Sequence, residues 1–151
     1  MAKKYHIEAG RTPEQIAKMK QLQESGICAF CPEHLGEQHD NPIEFQTEHW
    51  VVTKNDYPYD HTQLHLLLIP KLHVTTLNEL GADARAEFLD VVVKIEQRWK
   101  LPSYALAMRI GDPRYNGGSV EHLHAHIIVG YRDPEKHQPV RMKLASIPKD
   151  D

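Results

Sequence analysis

Three histidines alternate with apolar residues near the end of the chain, in the run Glu121-His122-Leu123-His124-Ala125-His126-Ile127-Ile128-Val129. Side chains in a β-strand point to opposite faces with a period of two. The alternation therefore predicts a strand over 120–129, with three imidazoles on one face and the intervening apolar side chains toward a core. At a rise of about 3.3 Å per residue, His122 and His126 lie roughly 13 Å apart, too far for all three histidines to bind one tetrahedral ion easily. At least one imidazole, with His124 in the middle, is available for other chemistry.

The amino-acid composition limits the structural and functional classes of protein to which this chain can belong. Its 151 residues fit a single domain over 1–151, and a chain of this size buries about 70% of the surface that its unfolded form exposes. A hydrophobic content of 40% and a formal net charge of -3 exclude a disordered chain and a polybasic nucleic-acid binder. The sequence has no signal-peptide core and no run of about 18 apolar residues, so we expect a cytoplasmic protein without a membrane partner. The 11 histidines are the outlier, and they direct the search for chemistry.

Periodicity and turn residues divide the chain into helices, strands and loops. We predict helices over 13–24 and 82–100, extended segments over 43–54, 64–69, 104–110 and 120–129, loops over 28–42, 55–60 and 111–118, and an aperiodic, charged tail over 131–151. Two main helices and four or five strands with short connections predict an α+β domain with an antiparallel sheet.

A glycine-containing segment, Asn116-Gly117-Gly118-Ser119-Val120, lies directly before the histidine row. Paired glycines let backbone amides approach a ligand closely, and the Ser119 hydroxyl can donate to a phosphate oxygen. Alone, a Gly-Gly-Ser loop is typical of a plain hairpin turn. Beside the histidines it indicates a phosphate cradle.

Together these segments resemble the histidine triad (HIT) superfamily. His122 to Ile128 is similar to its defining motif, His-φ-His-φ-His-φ-φ with φ hydrophobic, and 116–120 stands where such proteins carry their phosphate-contacting loop. The strand sequence from His65 to His73 and the turn from Asn55 to Asp60 also look like those of the superfamily, the turn being similar to that of the dinucleoside polyphosphate-cleaving branch. The resemblance covers about 28–130. It implies a small α+β fold with an antiparallel sheet, usually a homodimer, that binds a purine nucleotide.

The resemblance also implies an activity. The chain would be a nucleotide hydrolase or nucleotidyl transferase that cleaves at the α-phosphate of a nucleoside phosphoramidate or dinucleoside polyphosphate through a nucleotidyl-histidine intermediate. His124 would be the nucleophile, Ser119 and the amides around Gly118 would hold phosphate oxygens, and His126 would orient the site and stabilise charge. A histidine at position 126, where the sugar-nucleotide transferases of the family carry glutamine, places the chain with the hydrolases and phosphoramidases.

The predicted substrate-binding residues come from four segments of the chain. They are Asn55, Asp56, His65, Arg109, Asn116, Gly117, Gly118 and Ser119. Arg109 stands near a position where the family often has asparagine, and a charged donor there favours polyphosphate leaving groups. The loop 112–115 is longer than in the phosphoramidases and adds Arg114 as a second cation. His65 is expected to face the triad strand, and Asn55 and Asp56 to approach the ribose.

The two cysteines of the sequence, Cys28 and Cys31, have the spacing of a zinc knuckle, but a structural zinc site needs four ligands. The resemblance nominates His73 and His122, because zinc-bearing members of the superfamily use a set of two cysteines and two histidines. Such a zinc would be structural. A thioredoxin-like redox pair and two unrelated cysteines are the alternatives, although a redox pair favours a strand before the cysteines and a helix after them.

Three other functions stay open from the sequence. The triad can survive in a nucleotide-binding or scaffold protein without turnover. A dinucleoside polyphosphate phosphorylase would use phosphate instead of water as acceptor. A catalytic metal centre on an unrelated fold would use His122 and His124 as ligands.

Overall fold

The computed structural model describes residues 4–148, which form helices, strands and two single 3-10 turns. The helices are α1 (Pro13–Ser25), α2 (Pro32–Gln38), α3 (Ala82–Trp99) and α4 (Pro113–Asn116), and the 3-10 turns are Ile7–Ala9 and Leu77–Glu79. The strands are β1 (Ile43–Gln46), β2 (Trp50–Lys54), β3 (Thr62–Pro70), β4 (Ala105–Arg109) and β5 (His124–Gly130). Within 4–148, no helix combines the length and apolar character needed to cross a bilayer.

The five strands form one antiparallel sheet in the order β1-β2-β3-β5-β4. The predicted α+β fold with an antiparallel sheet and two main helices is confirmed. The register places Leu67 of β3 opposite His126 and Arg109 of β4 opposite His124. Because directly paired residues share a face of the sheet, Arg109 and His124 project to the same side.

Different elements pack on the two faces of the sheet. Helix α3 packs on one face, and the buried core there includes Leu66, Leu68, Ala125 and Ile127 from the two central strands. On the other face, β3 and β5 present His65, Leu67 and His126, and α2 covers part of this face through Leu35. The alternation in β5 thus separates an apolar core from a row of imidazoles, as the period of two predicts.

Two predicted loops contain short helices, and the last strand begins later than predicted. Helix α2 starts at Pro32, and proline is favoured at the first helical position. The burial of Leu35 stabilises the helix against the rest of the domain. The strand predicted over 120–129 begins at His124. Residues 121–123 do not pair with β3, because the amide of Glu121 donates to the carbonyl of Lys4 and that of Leu123 to the carbonyl of Val74.

The tail after β5 returns to the glycine-containing loop. The carbonyl of Lys143 accepts hydrogen bonds from Nε and Nη2 of Arg109 at 2.9 and 2.8 Å, and the amide of Ser146 donates to the carbonyl of Tyr115 at 2.9 Å. At Gly117 the backbone is left-handed (φ +78°), and a Cβ would lie 2.7 Å from Cγ of Lys143. Glycine is needed there both for its conformation and for the close approach of the tail.

Candidate functional site

A cavity of about 500 Å³ opens beside the imidazole face of β5. Its walls include the strand ends with His124, His126 and Arg109, the turn 55–61, an N-terminal segment from Tyr5 to Leu22, the glycine-containing loop, and the tail from Gln138 to Lys143. The volume lies within the range of small-molecule sites in proteins, about 300–1,000 Å³.

Seven of the ten predicted catalytic and substrate-binding residues line this cavity, and the predicted metal ligands lie at a separate cluster. Those that line it are Asn55, Asp56, Arg109, Gly117, Ser119, His124 and His126. His65, Asn116 and Gly118 are not on its surface: His65 bonds to His126, which is, while Gly118 and Asn116 bond to each other. His122 points away, toward Cys28, Cys31 and His73.

The imidazole of His124 is oriented by a backbone carbonyl. Its Nδ1 lies 2.7 Å from the carbonyl oxygen of His122, and a carbonyl only accepts, so Nδ1 carries the proton and donates. The neutral ring then keeps its lone pair on Nε2. The ring of Phe30 packs edge-on against this imidazole, with centroids 5.0 Å apart. His124 therefore presents an unprotonated nitrogen on a ring that is held in place from two sides.

His126 is oriented through a chain of two hydrogen bonds. The backbone amide of Tyr59 donates to Nδ1 of His65 at 3.1 Å, so the neutral ring of His65 carries its proton on Nε2. This Nε2 lies 2.8 Å from Nδ1 of His126 and donates to it. The proton of His126 is consequently on Nε2, a buried atom without a protein partner among the described residues. A buried donor without a partner is costly, and an acceptor atom of a ligand would satisfy it.

All three imidazoles of the site are neutral at pH 7. Burial lowers the pKa of His65 to about 3 and that of His124 to about 4. Burial also lowers the pKa of His126 well below its usual value, with the neighbouring imidazoles as a further cause. The guanidinium of Arg109 acts in the same direction on each of the three. The site thus combines one neutral imidazole acceptor, at His124, with one neutral imidazole donor, at His126.

Tyr59 is a buried residue of the site that the sequence did not single out. Its ring stacks on that of His126 with a centroid distance of 5.6 Å and an angle of 24°, and it contacts His65 at 4.6 Å. Its hydroxyl accepts a hydrogen bond from Nη1 of Arg109 at 2.8 Å. The turn 55–60 therefore contributes an aromatic wall as well as the polar residues predicted for it.

Asp56 and Asn55 use their side chains within the protein. The carboxylate of Asp56 accepts from the amides of Asp40 and Asn41, from Nδ2 of Asn41, and from Nδ1 of His39 at 3.1 Å. Oδ1 of Asn55 accepts from a backbone amide of the turn, and its Nδ2 lies 3.3 Å from Nε2 of His65. Asp56 therefore holds the segment 39–41 against the turn, and its approach to ribose stays a prediction.

The amides of the glycine-containing loop are also engaged. The amide of Gly118 donates to Oδ1 of Asn116 at 2.9 Å, and that of Gly117 donates to the carbonyl of Pro113 and to Oγ of Ser146. The loop is held by these bonds and by the carbonyl of Ser119, which accepts from the amide of His6. Ser119 remains at the cavity wall, so of the predicted cradle it is the residue best placed for a ligand.

The four predicted metal ligands lie together at one end of the histidine row. Ligand atoms of Cys28, Cys31, His73 and His122 are all within 4.8 Å of one another and form a group that can hold a metal ion. Nε2 of His122 donates to the carbonyl of Pro70 at 2.7 Å, which leaves the lone pair on Nδ1, the atom that faces the cysteines and His73.

Comparison with known proteins identifies the family of this fold and site. The sequence model of the HIT domain matches residues 36–133, which is more than half of the chain. The chain belongs to the HIT family.

Solved structures of HIT proteins have the same fold. A hypothetical histidine triad nucleotide-binding protein from Sulfolobus tokodaii is 25% identical, with a TM-score of 0.56 over 79% of this chain and 80% of that one. A HIT family hydrolase from Legionella pneumophila is 27% identical, with a TM-score of 0.53 over 70% of this chain and 94% of that one. A zinc-bound histidine triad family protein from Mycobacterium smegmatis is 21% identical, with a TM-score of 0.55 over 78% and 84%, a likeness that speaks for the fold alone.

Two walls of the cavity lie outside the matched HIT domain. The N-terminal segment supplies Arg11 and Lys18, and the tail supplies Arg141 and Lys143, so four cations at the cavity come from outside residues 36–133. Neither segment carries a local pattern that indicates a site, so neither was predicted from the sequence. The only local signal near Arg11 is the helix start that follows it.

The orientation of the histidines predicts a specific set of proton positions. In 15N-1H correlation spectra of the HIT protein at pH 7, we expect His124 to be protonated at Nδ1 and His65 and His126 at Nε2, because the carbonyl of His122 and the amide of Tyr59 determine the tautomers of His124 and His65, and His65 determines that of His126. Spectra of His124→Ala, His65→Ala and His126→Ala variants would assign the signals. An imidazolium at any of these positions, or a proton on Nε2 of His124, would contradict the orientation described above.

Proposed function

We propose that this HIT protein is a nucleotide hydrolase or nucleotidyl transferase in which Nε2 of His124 attacks the α-phosphorus of its substrate. The observation that carries the proposal is the 2.7 Å hydrogen bond from Nδ1 of His124 to the carbonyl of His122, which leaves the Nε2 lone pair available. A neutral imidazole is a nucleophile at pH 7, and the lowered pKa keeps His124 in that form.

The reaction proceeds in two displacements. In the first, a bond forms between Nε2 of His124 and phosphorus, the bond from phosphorus to the leaving group breaks, and the leaving group departs with the electron pair, a phosphate leaving as its anion and an amine taking up a proton from water. The N–H at Nε2 of His126 donates to a phosphate oxygen on which charge accumulates. In the second, water attacks phosphorus and gives up a proton to the solvent, the nitrogen–phosphorus bond breaks, and a nucleoside monophosphate is released while His124 recovers its lone pair.

A nucleotide substrate is supported by the family and by the size of the cavity. One similar structure is described as a nucleotide-binding protein and others as HIT family hydrolases. The cavity of about 500 Å³ has room for a nucleoside phosphate, and its cations suit phosphate oxygens. The substrates that the proposal names are purine nucleoside phosphoramidates and dinucleoside polyphosphates.

A trapping experiment tests the covalent step. When the protein is quenched with acid-free denaturant during turnover of labelled adenosine 5'-phosphoramidate, we expect label on His124, because the intermediate joins that nitrogen to phosphorus. Peptide mapping would locate it. The His124→Ala variant should lose at least about a thousandfold in kcat, as expected on removal of a nucleophile, and should still bind the monophosphate. A His34→Ala variant serves as the histidine control.

Three results distinguish this proposal from its rivals. Product formation without label at residue 124 would refute the covalent mechanism. Monophosphate binding without turnover of the phosphoramidate or of diadenosine tetraphosphate, each with and without inorganic phosphate, would instead favour a nucleotide-binding protein without catalysis. ADP formed from the tetraphosphate only when phosphate is added would identify a phosphorylase.

We also propose that Cys28, Cys31, His73 and His122 hold a structural zinc ion. A tetrahedral zinc site has edges of about 3.5 Å between sulfur and nitrogen and about 3.3 Å between two nitrogens, as follows from its bond lengths. The two cysteine–His122 distances are 3.5 and 3.7 Å, that from Cys31 to His73 is 3.3 Å, and the two imidazoles are 3.2 Å apart.

Burial and the neighbouring thiol raise the pKa of Cys31 to about 12, so paired thiolates require a cation between them. Four protein ligands leave no open position, and the ion would hold the cysteine loop against the sheet.

Metal analysis tests the zinc site. We expect about one zinc per chain by mass spectrometry of the native protein. Loss of zinc in a Cys31→Ser variant should lower Tm by several degrees, since each kcal/mol of stability is worth about 2–4 °C in a domain of this size. The His34→Ala variant, altered at a histidine that is not a ligand, should retain both metal and Tm. A native protein that purifies and folds without metal, with unchanged Tm in chelator, would refute the site.

We further propose that the protein is a homodimer formed along β4. This strand is an edge of the sheet, and Leu106 and Ile110 at this edge are 42% and 45% exposed. An open edge with apolar side chains favours pairing with another strand.

Light scattering tests the assembly. We expect a dimer mass for the native protein and a monomer mass for a Leu106→Lys variant, because a charge on the edge opposes pairing. Leu144→Lys, which places the same charge on an exposed leucine of the tail, should leave the dimer intact. A native protein that is monomeric at high micromolar concentration would refute the proposal.

A further inference from the structure

Two arginines from distant parts of the chain meet at the ring of Tyr59. The guanidinium carbon of Arg11 lies 4.6 Å from the ring centroid, and that of Arg109 lies 5.9 Å from it. The same ring stacks on His126. Two positive charges therefore lie one ring away from the proposed donor to the α-phosphate.

Neither arginine has a carboxylate partner. Arg11 donates to the carbonyls of Tyr57 and Pro58, and Arg109 to the Tyr59 hydroxyl and the carbonyl of Lys143. Within residues 4–148, no carboxylate oxygen lies within 4 Å of either guanidinium. Neutral acceptors fix the positions of both groups without cancelling their charge. Each guanidinium has five N–H donors and uses only some of them here, so both can still donate to an anion.

The carboxylates at the cavity do not contact either guanidinium, although Asp60 interacts electrostatically with Arg11. Those on its wall are Glu8, Asp40, Asp56 and Asp60. Asp56 is already bonded to His39 and to the 40–41 segment, and Glu8 lies 3.9 Å from Nε2 of His6. Like charges near one ring repel, and a bound anion between them would offset that cost.

A second observation points to a ligand at the same place. Nε2 of His126 is buried, has no protein partner among the described residues, and belongs to the ring on which Tyr59 stacks. An α-phosphate oxygen is the acceptor that the proposed reaction brings to this atom. Arg11, Arg109 and His126 all line the same cavity, so a ligand bound at Nε2 of His126 shares that cavity with both guanidiniums.

Hydrogen bonds at the start of α1 fix the position of Arg11. Its backbone amide donates to Oε1 of Gln15 at 2.9 Å, and Thr12 caps the helix by accepting from the amide of Gln15. Gln15 is itself buried, so the segment that carries Arg11 is fixed against the rest of the domain. Arg11 lies outside the matched HIT domain, 36–133.

We propose that Arg11, together with Arg109 on the Tyr59 ring, binds the phosphate of the leaving group that adjoins the α-phosphate. Arg11 is then a residue that determines leaving-group specificity. The inference rests on the proposed function at His124. In the first displacement, the leaving phosphate takes the electron pair of the broken bond and gains negative charge, which the two guanidiniums stabilise. An amine that leaves from a phosphoramidate carries no such charge. The chain thus prefers leaving groups that begin with a phosphate.

The test compares two substrates that share the adenylyl group and differ in the leaving group. For Arg11→Gln, we expect kcat/KM for diadenosine tetraphosphate to fall at least tenfold more than kcat/KM for adenosine 5'-phosphoramidate. Arg11→Lys, which retains the charge, should recover part of the loss. Arg132→Gln, which removes an exposed arginine that is not at the cavity, should leave the ratio of the two values unchanged.

A binding measurement separates this inference from the proposed function. Calorimetry with inorganic tripolyphosphate should show binding to native protein that weakens at least tenfold in Arg11→Gln, whether or not any substrate is turned over. Failure of turnover with this binding intact would refute the reaction at His124 alone. Equal losses on both substrates, or tripolyphosphate binding that does not depend on Arg11, would overturn the assignment of Arg11.

Discussion

The hydrogen bond from Nδ1 of His124 to the carbonyl of His122 is the interaction on which the site depends. It is local, because the two residues are two positions apart, and it requires the backbone to leave the strand pairing at His122. The backbone does so because residues 121–123 bond to Lys4 and Val74 instead of to β3. Because β5 begins only at His124, the carbonyl of His122 is not used in strand pairing. It is therefore available to accept the hydrogen bond that orients the imidazole of His124.

His122 joins the metal cluster to the nucleophile through two different groups. Its carbonyl orients His124, while its imidazole faces Cys28, Cys31 and His73 and donates to Pro70. Phe30 is a second link, because it lies between the cysteines in sequence and packs on the rings of both His122 and His124. A metal ion in the cluster would thus stabilise the geometry at His124 without taking part in the chemistry.

The sequence predicted the parts of the fold that local geometry determines. The period of two separated the imidazoles from the core side chains, and the apolar period over 82–100 located α3, because both depend on few neighbouring residues. The start of β5, the burial of Tyr59 and the place of Arg11 depend on contacts with distant segments, and no local pattern encodes them. His73 was nominated as a ligand by family resemblance, since spacing alone does not show which histidine meets the cysteines.

The cations of the site have two effects that reinforce each other. Burial is the main cause of the lowered pKa of each imidazole, Arg109 lowers that of His124 further, and with Arg11 it does the same for His65 and His126, so positive charge helps to keep the imidazoles neutral. A carboxylate beside His124 would do the opposite, because it would stabilise the imidazolium and remove the nucleophile. Guanidiniums that donate to carbonyls keep their positive charge. That charge attracts a phosphate, and it also disfavours protonation of the imidazole nitrogen that attacks the phosphate. The orientation of His124 by a carbonyl instead of a carboxylate follows the same logic, because a neutral acceptor fixes the proton on Nδ1 without raising the basicity of Nε2 as far.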